Sequence, residues 1–200
     1  MSTAEQLVFS IFTERRSIHV LLWDDKNDLV RALLPFLAGL SELQTHALFI
    51  SDADEDLAAL RLLVESRISL GEGESNLDQD PESTANRFWI LFLQQASSNN
   101  VGPWLNGWRR PISEPPGSML VIRHADFDSF QRNAPDIASF VGPRIYDAST
   151  MLSIFSKTTY DCLQDRLPNE IEEILHRLPG AAPSQKDLAD WIKANAPDNH

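Results

Sequence analysis

The sequence is short of cysteine, of basic residues and of long apolar segments. Cys162 is the single cysteine in 200 residues, which excludes an intrachain disulfide and a zinc site built from Cys-X-X-Cys pairs. Lysine and arginine total 17 against 29 aspartates and glutamates, so the formal net charge is −12. Because duplex affinity comes mainly from basic side chains on phosphates, this balance argues against a nucleic-acid partner.

Membrane and export signals are also missing. No segment reaches the roughly 18 consecutive apolar residues that a membrane-spanning helix requires. The first 16 residues lack a basic stretch followed by an apolar run and a cleavage site, as in a secretory leader. A single cysteine is typical of a reducing compartment, so we expect a cytoplasmic protein without a membrane contact.

The composition is that of a globular protein, with 42% hydrophobic and 23% charged residues. Short apolar runs predict five strands, at 17–23, 45–50, 88–93, 118–123 and 144–147. Helical spacing predicts helices at 28–40, 57–68, 104–110, 127–140 (broken near Pro135), 150–165, 169–178 and 184–195. This alternation predicts an α/β fold: a doubly wound, mostly parallel five-stranded sheet with helices on both faces and a helical C-terminal appendage.

The chain divides by pattern into a core at 1–150 and a helical extension at 151–200. Within the core, residues 71–87 carry five acidic residues and almost nothing to bury, which predicts a solvated, flexible loop.

The turn after the first strand lacks what a phosphate-binding loop needs. Residues 23–28 (WDDKND) contain three carboxylates and no glycine, and Lys26 precedes the predicted helix without a following hydroxyl. Gln94-Gln95 follow the third strand, where an NTPase places an acidic residue for magnesium. The sequence therefore predicts a P-loop-like core without a Walker A motif and without a nucleotide cofactor.

Asp24 and Asp25 lie at the carboxyl end of the first strand, where open α/β sheets bind ligands. Together with Asp126 after the fourth strand, they are candidate ligands for a divalent metal in a magnesium-dependent receiver- or phosphatase-like domain. The alternative, which we favour, is that they cap the following helix, because carboxylates there offset the helix dipole.

No catalytic constellation stands out. Cys162 as a nucleophile would need His124 and an orienting carboxylate, but its helical surroundings favour a buried thiol. No GxSxG elbow and no metal-type histidine spacing are present, so we do not expect an enzyme. A further alternative is a small-molecule-binding regulator that uses the strand-end crevice near Trp23, Gln94 and His124.

One segment is suited to a protein partner. Trp104 and Trp108 are four residues apart and share one face of a helix, and Arg109 and Arg110 follow. Tryptophan and arginine are enriched at interaction hot spots, so these four residues are a predicted partner surface for an anion or an acidic protein. The alternative is that the tryptophans cover the sheet while the arginines face solvent.

Short motifs follow one another in the second half of the core: Leu105-Asn106, Trp108-Arg109, Pro116-Gly117, MLVI at 119–122, RNAPD at 132–136, ASF at 138–140 and RIYD at 144–147. This series resembles the STAND-type signalling NTPases of bacteria, in particular their degenerate, nucleotide-free branch beside effector modules in defence systems. An arginine before an Ala-Pro-Asp segment recurs in that family, which adds Arg132 to the predicted partner surface.

The resemblance also implies a function. Full-length members of the family that the sequence resembles carry a helical lid, winged-helix and repeat regions and often an effector domain, which these 200 residues do not contain. The resemblance therefore implies a non-catalytic adaptor or regulatory subunit, with an effector such as a protease, nuclease or TIR-type enzyme as partner.

Overall fold

The computed structural model describes residues 17–39, 44–51, 87–113, 117–150, 176–178 and 184–194. The predicted helices at 57–68 and 150–165, most of the one at 169–178, the acidic segment up to residue 86 and Cys162 lie outside the described residues.

The described strands form one five-stranded sheet. They are β1 (Ile18–Trp23), β2 (Gln44–Ile50), β3 (Arg87–Leu93), β4 (Ser118–Arg123) and β5 (Ile145–Asp147). Their order is β2-β3-β4-β1-β5, and every neighbouring pair is parallel. The predicted strands are confirmed to within a residue, and the sheet is entirely rather than mostly parallel. Arg87, predicted to end the acidic loop, is the first residue of β3.

The described helices cover both faces of this sheet, which confirms the doubly wound fold. They are α1 (Lys26–Gly39), α2 (Val101–Gly107), α3 (Arg109–Ser113), α4 (His124–Asn133), α5 (Pro135–Val141) and α6 (Gln185–Ala194). Leu29, Leu33 and Phe36 of α1 pack on one face, and buried residues of α2, α3, α4 and α5 pack on the other. None of the helices in these described ranges is long and apolar enough to cross a membrane.

One helix boundary differs from the prediction, and another is confirmed. The bounds predicted for the helix at 104–110 are wrong, because α2 runs from Val101 to Gly107 and α3 then runs from Arg109 through Pro111. Proline is tolerated there because the first N–H groups of a helix have no partner within it. The break before Pro135 is confirmed, with Ala134 between α4 and α5.

Helix α6 begins with a capping box formed by Ser184 and Asp187. The Ser184 hydroxyl and backbone N–H donate to Asp187 Oδ2 at 2.7 and 3.0 Å, and Asp187 N–H donates back to Ser184 Oγ at 3.2 Å.

At the amino edge of the sheet, a glycine allows β1 and β4 to start side by side. Ser118 N–H donates to the Ser17 carbonyl at 3.2 Å, and Ser17 N–H donates to the Ser113 carbonyl at 3.1 Å. Gly117 has φ +94°, and a Cβ there would lie 2.4 Å from the Ser17 carbonyl oxygen. Only glycine fits this position without displacing backbone.

Candidate functional site at the carboxyl edge of the sheet

The topological switch point of the sheet lies between the carboxyl ends of β1 and β4. These strands are neighbours, but β1 leads into α1 on one face and β4 leads into α4 on the other. Ligands of open α/β sheets bind at such a switch point. Asp24, His124 and Asp147, which follow or end β1, β4 and β5, meet there.

His124 lies between two carboxylates. Its Nδ1 is 3.2 Å from Asp24 Oδ2, and its Nε2 is 3.3 Å from Asp147 Oδ2. The Nδ1 contact lacks hydrogen-bond alignment although that atom is buried, so the Asp147 contact is the better oriented of the two. The imidazole thus connects the ends of three adjacent strands, and a protonated ring would pair with both carboxylates.

Asp147 is itself held in place by Ser149. Its Oδ1 accepts the Ser149 N–H at 2.9 Å and the Ser149 hydroxyl at 2.7 Å. Burial acts to raise the pKa of Asp147, but the two Ser149 hydrogen bonds and His124 together lower it below its usual value. Asp147 is therefore an anion at neutral pH and fixes the orientation of His124.

The favoured capping interpretation holds for Asp25, which caps α1, whereas Asp24 contacts His124. Its Oδ1 accepts the Asn27 N–H at 2.7 Å, and its carbonyl accepts the Leu29 N–H at 3.1 Å. The start of α1 thus already holds a carboxylate where a phosphate would bind. Lys26 is the first residue of α1 rather than preceding it, and burial of its side chain lowers its pKa.

The three aspartates of the metal hypothesis have separate positions. Asp24 faces His124, Asp25 caps α1, and Asp126 lies half-buried in the first turn of α4. Within the described ranges, no group of three or more histidine, cysteine, aspartate or glutamate side chains has a geometry that could hold a metal ion.

Two residues from the C-terminal part of the chain, Arg177 and Leu178, pack near the carboxyl ends of β2 and β3. The Arg177 guanidinium lies 4.1 Å from the centre of the Phe49 ring, which stacks on Phe92 at 4.8 Å. Gln94 Nε2 donates to the Arg177 carbonyl at 3.2 Å, and Leu178 is buried in the α1-side core. Sequence reasoning missed Arg177, because 83 residues separate it from Gln94 and no local pattern joins them.

The predicted crevice residues all lie at this edge, and each is engaged by a neighbour. Trp23 is buried with the Arg123 guanidinium 5.6 Å from its ring centre. Gln94 contacts Arg177, and His124 contacts the two aspartates described above.

The predicted partner surface lies on the face of the sheet that α2 to α5 cover, opposite the face covered by α1. Trp104 and Trp108 stack at 5.7 Å and are half-buried against the core under α2, and Arg109 and Arg110 are exposed. The tryptophans therefore cover the sheet while the arginines face solvent. Arg132 is exposed on α4, where it donates to Ser129 Oγ at 3.0 Å.

Several motif residues join helices rather than line a site. The Asn106 side chain accepts the N–H groups of Asp136 and Ile137 at 3.0 and 3.1 Å, which caps α5, and donates to Asp136 Oδ2 at 2.8 Å. Asn133 Nδ2 donates to the carbonyls of Ser97 and Ser98 at 3.3 and 3.2 Å. These contacts fix α2, α4 and α5 relative to the loop after β3.

The chain matches no family model, and a search of the curated proteins finds no match either. The resemblance to signalling NTPases therefore stays a prediction, based on the motifs between residues 104 and 155.

Proposed function

We propose that the chain is a non-catalytic adaptor or regulatory subunit of a bacterial signalling or defence system. It acts in the cytoplasm, through association with a protein partner, by means of a degenerate STAND-type NTPase domain. The five-stranded parallel sheet with helices on both faces agrees with the α/β core that the resemblance implies.

The single observation that carries the proposal is the Asp25 cap. A nucleotide phosphate at the start of α1 would have to displace the Asp25 carboxylate from the Asn27 N–H. It would also face Asp24 and Asp28, and each like-charge contact near 4 Å costs about 1–4 kcal/mol, depending on the local dielectric. The turn therefore disfavours nucleotide binding and with it NTPase activity.

The proposed partner surface consists of the exposed Arg109 and Arg110 and the exposed parts of Trp104 and Trp108, whose remaining surface covers the sheet. Its stacked indoles are half-exposed beside two exposed guanidinium groups, in a chain of net charge −12. A partner with acidic groups complements this patch, whereas a nucleic acid would be repelled by the rest of the surface. An effector protein such as a protease, nuclease or TIR-type enzyme is the partner class that the family resemblance implies.

The strand order does not support the alternative of a receiver-like domain. Receiver domains have the flavodoxin-like strand order 2-1-3-4-5. Here β1 lies between β4 and β5, and Asp25 serves the helix cap.

Calorimetric titration of the full chain with magnesium-ATP tests the nucleotide part. We expect no heat of binding and no change in melting temperature. Asp25→Ser is the matched variant, because serine keeps the cap while removing the charge. Micromolar or tighter ATP affinity of the unmodified chain would contradict the proposal.

Affinity capture from cells of the source organism tests the partner surface. Arg109→Gln with Arg110→Gln should lose most of the captured partner, quantified by mass spectrometry against the unmodified chain. Arg31→Gln is the control, because it also removes an exposed arginine but lies on α1, on the other face of the sheet. This variant should leave capture intact. Equal capture by all three chains would rule this surface out.

A further inference from the structure

Residues 176–178 occupy a recognisable site at the carboxyl ends of β2 and β3. Three different interactions converge there: a cation over the Phe49 ring, a hydrogen bond from Gln94 to a backbone carbonyl, and a leucine in the α1-side core. All three come from two consecutive residues of the occupant, Arg177 and Leu178.

Each interaction recognises a different property of residues 176–178. The Phe49 ring favours a guanidinium, which is attracted to the face of an aromatic ring. The Gln94 amide donates to the Arg177 backbone carbonyl, at the end of a helical stretch, so this contact selects no particular side chain. The position of Leu178, which is 5% exposed, admits only an apolar side chain.

Such a mixture of backbone and side-chain recognition is how proteins bind peptide segments. The site also lies at the ligand-binding edge of the sheet, close to the β1–β4 switch point. The occupant is supplied by the chain itself, so a free ligand has to compete with an intramolecular contact.

We propose that the carboxyl ends of β2 and β3 form a binding site for a peptide segment in which an arginine is followed by a large apolar residue. Residues 176–178 occupy this site in cis, and a partner that presents the same chemistry displaces them. The site lies on the α1 side of the sheet, whereas Trp104 and Trp108 lie on the other side. A test of this site is therefore independent of the test of the partner surface proposed above.

Fluorescence polarisation with a labelled peptide tests the proposal. The probe has the sequence of residues 172–181 (EEILHRLPGA), and the protein is the full chain with Arg177→Ala and Leu178→Ala, which vacates the site. We expect the probe to bind the vacated chain roughly tenfold or more tightly than the unmodified chain, because the tethered competitor is lost.

Matched controls identify the contacts. A probe with alanine in place of its arginine and leucine should not bind the vacated chain. Phe49→Leu or Gln94→Ala in the vacated chain should each weaken binding of the original probe. Arg31→Gln in the same background, on the exposed side of α1, should not.

The folded state of each variant is checked by its thermal unfolding transition. If the double variant fails to unfold cooperatively, Arg177→Glu alone replaces it, because that side chain is exposed and Leu178 stays in the core. This variant frees only the Phe49 ring, so the probe should bind it more tightly than the unmodified chain, and equal binding to both chains overturns the proposal. A folded vacated chain that does not bind the probe, or that binds the alanine probe equally well, overturns the proposal and leaves the contact as intramolecular packing.

Discussion

At the amino edge of the sheet the polar groups are buried, whereas at the carboxyl edge they are partly exposed and paired with one another. The Ser17 and Ser118 hydroxyls and both ring nitrogens of His19 are buried without a hydrogen bond. By contrast, His124 is 35% exposed between Asp24 and Asp147. Backbone hydrogen bonds align β1 with β4 at the amino edge and contribute to stability, whereas the buried unpaired side-chain atoms there cost some of it. The carboxyl edge keeps its charges accessible, as a binding edge must.

Gly117→Ala should give the largest loss of stability. A left-handed φ costs about 1–2 kcal/mol for a residue with a Cβ, and overpacking adds about 1–3 kcal/mol, so we expect a loss of about 2–5 kcal/mol. Urea unfolding measures it. Gly142→Ala is the control, because φ there is +54° but nothing lies within 4 Å of the added Cβ. Equal losses at both positions would show that the contact with Ser17 does not restrict the amino edge.

His19 should make the amino edge sensitive to acid. Burial, and secondarily Arg144, lower the pKa of His19 from 6.5 to about 4. Between these values the unfolded chain binds a proton that the folded chain does not, so stability falls as the pH drops from 6.5 to 4. The full difference corresponds to about 3 kcal/mol.

His19→Leu removes this titration while keeping the position apolar. The stability of the variant, measured by urea unfolding at several pH values, should depend less on pH between 6.5 and 4. If the stability of the variant depended on pH as strongly as that of the unmodified chain, His19 would accept a proton within the folded chain. The amino edge would then not exclude charge, in contrast to the expectation.

Much of the fold follows from local pattern, and the sites follow from topology. The runs of apolar residues predict the strands, since a parallel strand covered on both faces needs apolar side chains throughout. Pro135 similarly marks the end of α4, because it disfavours helical geometry at Ala134. The Asp24–His124–Asp147 cluster could not be predicted, because it depends on β1 lying between β4 and β5. Arg177 was missed for the same reason, since its contact is made only in the folded chain.

Removal of the Asp25 cap should have a smaller effect than either change at the amino edge. Asp25→Ala leaves the Asn27 N–H without its acceptor and should cost about 1 kcal/mol, measured by urea unfolding. Asp25→Ser supplies another acceptor and should retain most of the stability. If serine were as costly as alanine, the cap would depend on the charge of Asp25 rather than on its hydrogen bond.

The smallest effect is expected from Asp147→Asn at the carboxyl edge. The pKa of Asp147 is lowered, so its contribution is present above its unfolded value of 3.8 and is lost as the pH falls below it. Because the side chains of Asp147 and His124 are about a third exposed, solvent screens the pair, and we expect a loss below about 1 kcal/mol at pH 7. This pH window lies below that of His19, so urea unfolding across both windows separates the two edges. A loss at pH 7 as large as that of Gly117→Ala would show that the carboxyl edge also serves stability.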